Sequence, residues 1–459
     1  MLRKLTLKNF KAWQSVDLEF GDVTYLFGTN SLGKSSLLQF ILLLKQTKDA
    51  TDPSTVFDLG GQNQLVNLGS FRDMVYSHQI DRKISWDISW KTKDRTRISD
   101  PEGASSTILF EGDELNLASC VSYTDPFMRA EYIAYTFGGQ EFSLRERAGS
   151  GRGFSLLPDT RTHSAFQFKR TLGRAWNVPG PVKTHLFPSQ AQTYYKNADF
   201  LSVFETEYES LIDRVYYLGP LRDYPRREYT WSGSSPEDVG RRGERTIDAI
   251  LAARYRGERQ NVVYKGLRKP FEELIAYWLQ ELGLISSFRI EEIAPDSNLY
   301  KAVVRRDRAG PEALLTDVGF GVSQVLPALV LLHYVPEGSI VVMEQPEIHL
   351  HPSVQSGLAD VVLRVAKHRR LQIIVESHSE HFLRRVQRRV AEDEKGTYGN
   401  GFVRAYFCTV GKSGSLLNDL NMNVFGEIEN WPEGFFGDDF GEIARTKQAS
   451  LKKRLAASG

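Results

Sequence analysis

Residues 28–35 read Gly-Thr-Asn-Ser-Leu-Gly-Lys-Ser, a full match to G-x-x-x-x-G-K-[ST]. A loop of this kind lets backbone N–H groups converge on phosphate oxygens, because glycine has no Cβ to block the approach. Lys34 is placed to reach the β- and γ-phosphates of a nucleotide, and Ser35 to set its hydroxyl on Mg²⁺. Gly28, Asn30, Gly33 and Ser36 complete the expected nucleotide-binding set. A chance match in a glycine loop would need neither a strand before it nor a helix after it. Here residues 23–27 read as an apolar strand and residues 37–44 as a strongly apolar helix, whose positive N-terminal end aims at the same anion.

A second set of chemistry-bearing residues begins after residue 311. Leu315-Thr-Asp-Val-Gly-Phe-Gly-Val-Ser-Gln is a glycine-rich turn, and an apolar helix is expected from Val325 to Tyr334. Gly321, Ser323 and Gln324 would make the start of that helix a second anion site. One chain needs one phosphate cradle, so a second makes sense if it closes on the γ-phosphate held by another subunit. Next, Ser339-Ile-Val-Val-Met-Glu describes a buried parallel strand ending in a carboxylate. Its last residue, Glu344, would hold Mg²⁺ directly or through water at the strand's C-terminal end. Another apolar strand, Leu371–Glu376, brings His378 to the same edge, within reach of the γ-phosphate or the attacking water. A lone histidine is more often structural; its place at a strand end favours the functional reading.

These groups need a scaffold. Residues 2–8 and 14–20 alternate as two antiparallel strands, and between them Asn9-Phe-Lys-Ala-Trp13 is either a cover for adenine and ribose or a hydrophobic corner. In the loop-rich stretch from Asp58 to Phe71, Gln62 and Gln64 are candidates for a glutamine that senses Mg²⁺ and water. Alternating runs over 83–146 predict an antiparallel sheet. Residues 147–200 carry little periodicity, whereas helices are expected near 198–214, 244–256 and 267–283, with a strand at Val215–Leu218. Arg222, Arg226, Arg227, Arg241, Arg242 and Arg245 form either a phosphate- or nucleic-acid-binding edge or a salt-bridged surface, the commoner case. In residues 382–390 the apolar positions 382, 383, 386 and 390 face away from arginines 384, 385, 388 and 389, again a solvated face more often than a DNA-binding one.

Composition narrows the classes. With 459 residues, 41% hydrophobic side chains and a net charge of +1, the chain can bury a large core and is not coated with basic charge. Cys120 and Cys408 form no CxxC pair, which excludes a sequence-local zinc site and suggests a reducing cytosol. The most apolar run, Val325 to Val335, is too short to span a bilayer, and the N-terminus lacks a signal peptide's apolar stretch. The expectation is a soluble cytoplasmic protein.

The phosphate loop, the Gly-Phe-Gly-Val-Ser-Gln turn, the Glu-Gln-Pro-Glu-Ile-His-Leu-His-Pro run and the Glu-Ser-His-Ser-Glu-His run, in this order, resemble an ABC-type ATPase head of the SMC, RecF and OLD kind, within the AAA-family ATPases. Residues 429–436, Glu-Asn-Trp-Pro-Glu-Gly-Phe-Phe, match a C-terminal motif of bacterial relatives that resemble the ATPase subunits of anti-phage systems such as Septu. The fold class implied is α/β: a P-loop NTPase with an ABC/SMC-like ATPase head, a mixed sheet, an antiparallel β lobe and a helical insertion. The resemblance also implies ATP and Mg²⁺ as cofactors, and a head-to-head dimer in which Ser323 of one subunit lies opposite Lys34 of the other. An effector such as an HNH or TOPRIM nuclease would be the partner.

Two departures from that family matter. Where much of the superfamily carries a second glutamate after the metal-side carboxylate, this chain has Gln345. Glutamine orients a water but cannot take its proton, and loss of a general base costs on the order of 10²–10⁴ in rate. Slow hydrolysis is therefore expected, with Glu347 or His378 as substitute base. The segment between the two halves of the site has no lasting heptads and no zinc-hook cysteines, so the head is compact. The expected division is a nucleotide-binding lobe (1–146), an insertion (147–310), a second lobe (311–428) and an aromatic, acidic motif with a basic tail (429–459). The leading function is an ATPase switch in an anti-phage complex. A RecF-like ATPase acting directly on DNA is the alternative, and a transporter motor is disfavoured by the insertion.

Overall fold

The computed structural model describes residues 1–29, 32–62, 64–99, 108–146, 153–158, 166–171, 177–261, 266–399, 401–411, 414–431 and 446–450. Asn30 and positions 432–436 of the C-terminal motif lie outside the described residues.

In chain order the first half contains β1 (Leu2–Phe10), β2 (Trp13–Glu19), β3 (Val23–Gly28), α1 (Lys34–Asp49), α2 (Phe71–Met74), β4 (Ile84–Ser99), β5 (Ile108–Thr124), β6 (Phe127–Phe137), β7 (Gln140–Glu146), β8 (Phe154–Pro158), α3 (Ser189–Tyr194), α4 (Leu201–Asp213) and β9 (Val215–Leu218). The second half contains β10 (Tyr229–Thr230), α5 (Thr246–Tyr255), β11 (Arg259–Asn261), β12 (Arg268–Pro270), α6 (Phe271–Glu281), β13 (Ser287–Glu292), β14 (Leu299–Arg305), β15 (Glu312–Leu314), α7 (Phe320–Tyr334), β16 (Ile340–Glu344), α8 (Pro352–Arg369), β17 (Gln372–Glu376), α9 (Glu380–Ala391), β18 (Val403–Gly411) and β19 (Gly414–Asp419).

Two sheets organise these elements. One is antiparallel, in the order β2-β1-β4-β5-β6-β7-β8; the other runs β19-β18-β3-β17-β16-β9 and is parallel except for β19. The strands β3, β16 and β17 are apolar on both faces because helices cover one side and α1 with the antiparallel sheet covers the other. Strand periodicity divides them cleanly. Leu26, Val342 and Ile374 join the core shared with α1 and the antiparallel sheet, whereas Tyr25, Val341, Met343, Ile373 and Val375 join the core shared with α5 to α9. Between two sheets, α1 is buried almost all round, which explains its run of leucines. Among the described residues, no helix is long and apolar enough to cross a membrane.

The expected α/β fold with a P-loop is what the structure shows. One element differs from the sequence reading: α7 begins at Phe320, not Val325, so the glycine-rich turn is the helix's first turn. Pro327 is tolerated inside it, with its ring packed on Gly243, where a Cβ would lie 2.6 Å away. The arginine face of α9 is ion-paired. Arg385 and Arg389 clasp Asp360 of α8 at 2.8 and 2.6 Å, and Arg388 meets Glu392. Arg384 bonds Glu380 and lies 4.4 Å over the Trp431 ring, which ties the start of the C-terminal motif to α9.

Candidate functional site

The parallel order places β17 between β3 and β16, so the ends of three strands meet at one edge. There a cavity of about 610 Å³ is lined by Lys11, Ala12, Leu32, Gly33, Lys34, Ser35, Ser36, Gln39, Gln345, Glu376 and His378. Gly33 has a φ of +84°, and a Cβ on it would meet the Trp13 indole nitrogen at 2.9 Å, so glycine is required twice over. The Trp13 indole N–H donates to the Gly33 carbonyl at 2.9 Å, clamping the loop from below. The Asn9–Trp13 segment is thus a hydrophobic corner, with Phe10 and Trp13 buried, that also offers Lys11 to the cavity. Among the described residues no side chain caps the N-terminus of α1, and no acidic residue sits in its first turn. Its orphan N–H groups and positive end therefore face the cavity.

Lys34 is buried and its ammonium donates to the Gly28 and Thr29 carbonyls at 3.0 and 2.7 Å. Burial lowers its pKa, and Glu376 offsets part of that shift. The Ser35 hydroxyl donates to Glu376 Oε1 at 3.0 Å. Glu376 was not singled out from sequence, although the signal was present: it ends an apolar strand exactly as Glu344 does. The two are register partners on β17 and β16, so Glu376 stands between Ser35 and Glu344.

Glu344 is 6% exposed and accepts from the Tyr217 hydroxyl at 2.8 Å. Burial and the neighbouring Glu376 push its carboxyl up to about 7. Glu376 is also raised, chiefly by burial, with the Ser35 hydrogen bond in opposition; among the described residues its other oxygen, Oε2, is buried without a hydrogen-bond partner. Gln345 has a φ of +44°, outside the usual range for a side chain of its kind, and its N–H donates to the Glu376 carbonyl at 2.8 Å. Glu347 does not line the cavity. Its Oε1 accepts from the Ser377 hydroxyl at 2.7 Å and the His378 N–H at 2.9 Å, so it fixes the backbone that carries His378. The His378 ring, half-buried and 4.0 Å from Glu376 Oε1, has its pKa lowered by burial and by Lys34, which keeps it neutral at physiological pH.

The remaining candidates lie apart. Gln62 is exposed and does not line the cavity; Gln64 is exposed too, with its carbonyl bound to Arg241. Gly321, Ser323 and Gln324 occupy the first turn of α7, and Ser323 donates to the Phe320 carbonyl at 2.9 Å while lining a different cavity with Tyr224 and Thr246. The arginine cluster divides as well. Arg227 pairs with Asp317 and Arg242 with Asp223, whereas Arg222 runs inward to Glu344.

The residues present fit a nucleotide with its metal. The uncapped helix start suits phosphate, and the unpartnered Glu376 oxygen beside the Ser35 hydroxyl suits a hard cation. Among the described residues no cluster of three or more His, Cys, Asp or Glu could hold a metal alone, so phosphate and water would complete its coordination.

The AAA ATPase domain model matches residues 1–129 and 247–383. No curated protein matches the chain in sequence. The chain is similar to an SMC head bound to the C-winged helix domain of ScpA (12% identity, 91% of this chain and 98% of that one, TM-score 0.46). It is similar also to an SMC head domain from Thermotoga maritima (12%, 92% and 99%, 0.40) and to a Pyrococcus furiosus Smc head with an extended coiled coil bound to the C-terminal domain of ScpA (11%, 91% and 96%, 0.43).

Proposed function

We propose, from the premise that the chain belongs to the AAA ATPase domain family, that it is a slow ATP-driven switch whose output lies in a partner protein. ATP would lie on the 28–35 loop, with Lys34 leaving the Gly28 and Thr29 carbonyls for the β- and γ-phosphates. Ser35, Glu376 and Glu344 would hold Mg²⁺, which supplies charge neutralisation at the phosphates. His378, held by Glu347, would contact the γ-phosphate. Gln345 lines the same cavity and would orient the attacking water without accepting its proton. The observation that carries this reading is the bond from Ser35 to Glu376 beside the buried Lys34, which joins the loop to the carboxylate edge.

Because Gly321, Ser323 and Gln324 do not line the nucleotide cavity of their own chain, their use as a second anion site would come from a second copy closing head to head. The biological setting we propose is an anti-phage complex in which the nucleotide state regulates a nuclease of HNH or TOPRIM type, in the cytoplasm. The α9 arginines that the DNA-repair alternative would use are engaged in ion pairs with Asp360, Glu380 and Glu392. Co-purification of the adjacent gene product, with and without ATP, tests the partner claim: nucleotide-dependent association is expected, and its absence would remove the claim.

A further inference from the structure

Arg222 is the buried member of the arginine cluster. It lies just beyond β9, the neighbour of β16, and is 6% exposed. The loop holding it is pinned on both sides: the Gly219 N–H donates to the Arg241 carbonyl at 2.8 Å and the Asp223 N–H to the Arg242 carbonyl at 2.9 Å. Inside, Nη2 reaches the Glu344 carbonyl at 3.4 Å, while Nε and Nη1 are buried without partners among the described residues. The groups that face its charge are Tyr217, Glu344 and Glu347. A guanidinium that only filled this space would be replaced at no loss by methionine, since burying an ion costs several kcal/mol unless opposite charge offsets it. Here the Glu344 and Glu347 carboxylates act on the guanidinium only through space, and the direct contact is the bond to the Glu344 carbonyl.

We infer that Arg222 is a positioning residue for the hydrolytic site, fixing the Glu344–Glu347 turn from behind and holding its carboxylates in place for metal and for His378. It does not line the cavity and acts through the Glu344 backbone, which it contacts directly. The inference rests on the proposed role of Glu344 at the metal.

The test titrates a fluorescent ATP analogue, with and without MgCl₂, into the full-length wild type, Arg222→Met and Arg222→Lys, and records Tm and steady-state hydrolysis alongside. Loss of a group that orients a metal ligand typically costs 10–100-fold in metal affinity or activity. Arg222→Met should therefore lose about 10–100-fold of the Mg²⁺-dependent gain in affinity and of kcat. Metal-free nucleotide affinity should stay close to wild type, and Arg222→Lys should be intermediate. If Arg222→Met does not fold, Arg222→Lys against wild type decides, because a lysine keeps the charge but loses the planar guanidinium whose Nη2 reaches the Glu344 carbonyl. Variants with lowered Tm but a wild-type Mg²⁺ response would overturn the inference. Lys34→Ala is the separate control: nucleotide binding that survives it would sink the ATPase reading itself, whatever Arg222 does.

Discussion

The two ends of the parallel sheet differ in their charged groups: the carboxyl end buries three glutamates, whereas the amino end carries mostly exposed lysines and arginines. At the carboxyl end, where α1, α8 and α9 begin, sit Glu344, Glu347 and Glu376, each at most 6% exposed. At the amino end, where α4, α7 and α8 finish, a cavity of about 1100 Å³ is ringed by the Met1 amino group, Arg3, Lys4, Lys91, Lys93, Arg214, Arg370 and Arg404, against Glu19, Asp22 and Glu337. Both arrangements obey one rule: helix N-termini favour anions and helix C-termini favour cations. Water makes the difference. Arg3, Lys4, Lys91, Lys93 and Arg370 at the amino end are exposed, so they are screened and cost little, whereas burial first and neighbouring charge second raise the pKa of Glu344 and Glu376.

The largest effect should follow Lys34→Ala, which removes the buried cation at the loop. Calorimetric titration should show ATP affinity reduced by at least about 100-fold, the loss of a charged hydrogen-bonded contact worth about 3 kcal/mol. Next, Glu344→Gln should change stability in a pH-dependent way. A carboxyl raised to about 7 binds more protons folded than unfolded, so its burial costs stability as pH rises from about 4.5 through 7 and costs nothing below. Denaturant unfolding without nucleotide should find Glu344→Gln more stable than wild type by about 2 kcal/mol at pH 8 and unchanged at pH 4. A difference independent of pH would break the contrast between the two ends.

Trp13→Phe should cost less, about 1 kcal/mol, because it keeps the buried ring but loses the bond to Gly33. ATP affinity should fall several-fold with it, read by the same titration. Smallest of all, Arg370→Ala at the amino end should change stability by no more than about 0.5 kcal/mol and leave ATP affinity untouched. A large loss there would mean that exposure is not what separates the ends.

Much of the carboxyl end was legible in sequence. The runs leading to Gly28, Glu344 and Glu376 are apolar apart from Thr24 and Gln372, so their burial as central strands was legible in composition. Local spacing did not reveal which end residues meet. That depends on β17 inserting between β3 and β16, a pairing of segments hundreds of positions apart, and it is why Glu376 went unnoticed beside His378. The start of α7 was misread because Gly319 and Gly321 signal a turn; packing of the helix in the core overrides that propensity. Arg222 looked like its exposed neighbours, since a run of arginines does not say which one points inward.

The central claim is that Gln345 makes this ATPase a slow switch, and steady-state ATP hydrolysis by wild type and Gln345→Glu, with mass measured by light scattering in ATP, tests it most directly. The account predicts slow wild-type turnover with an ATP-dependent dimer, and turnover faster by about 10²-fold or more in Gln345→Glu, whose dimer is correspondingly short-lived. Fast wild-type turnover that Gln345→Glu leaves unchanged would contradict it.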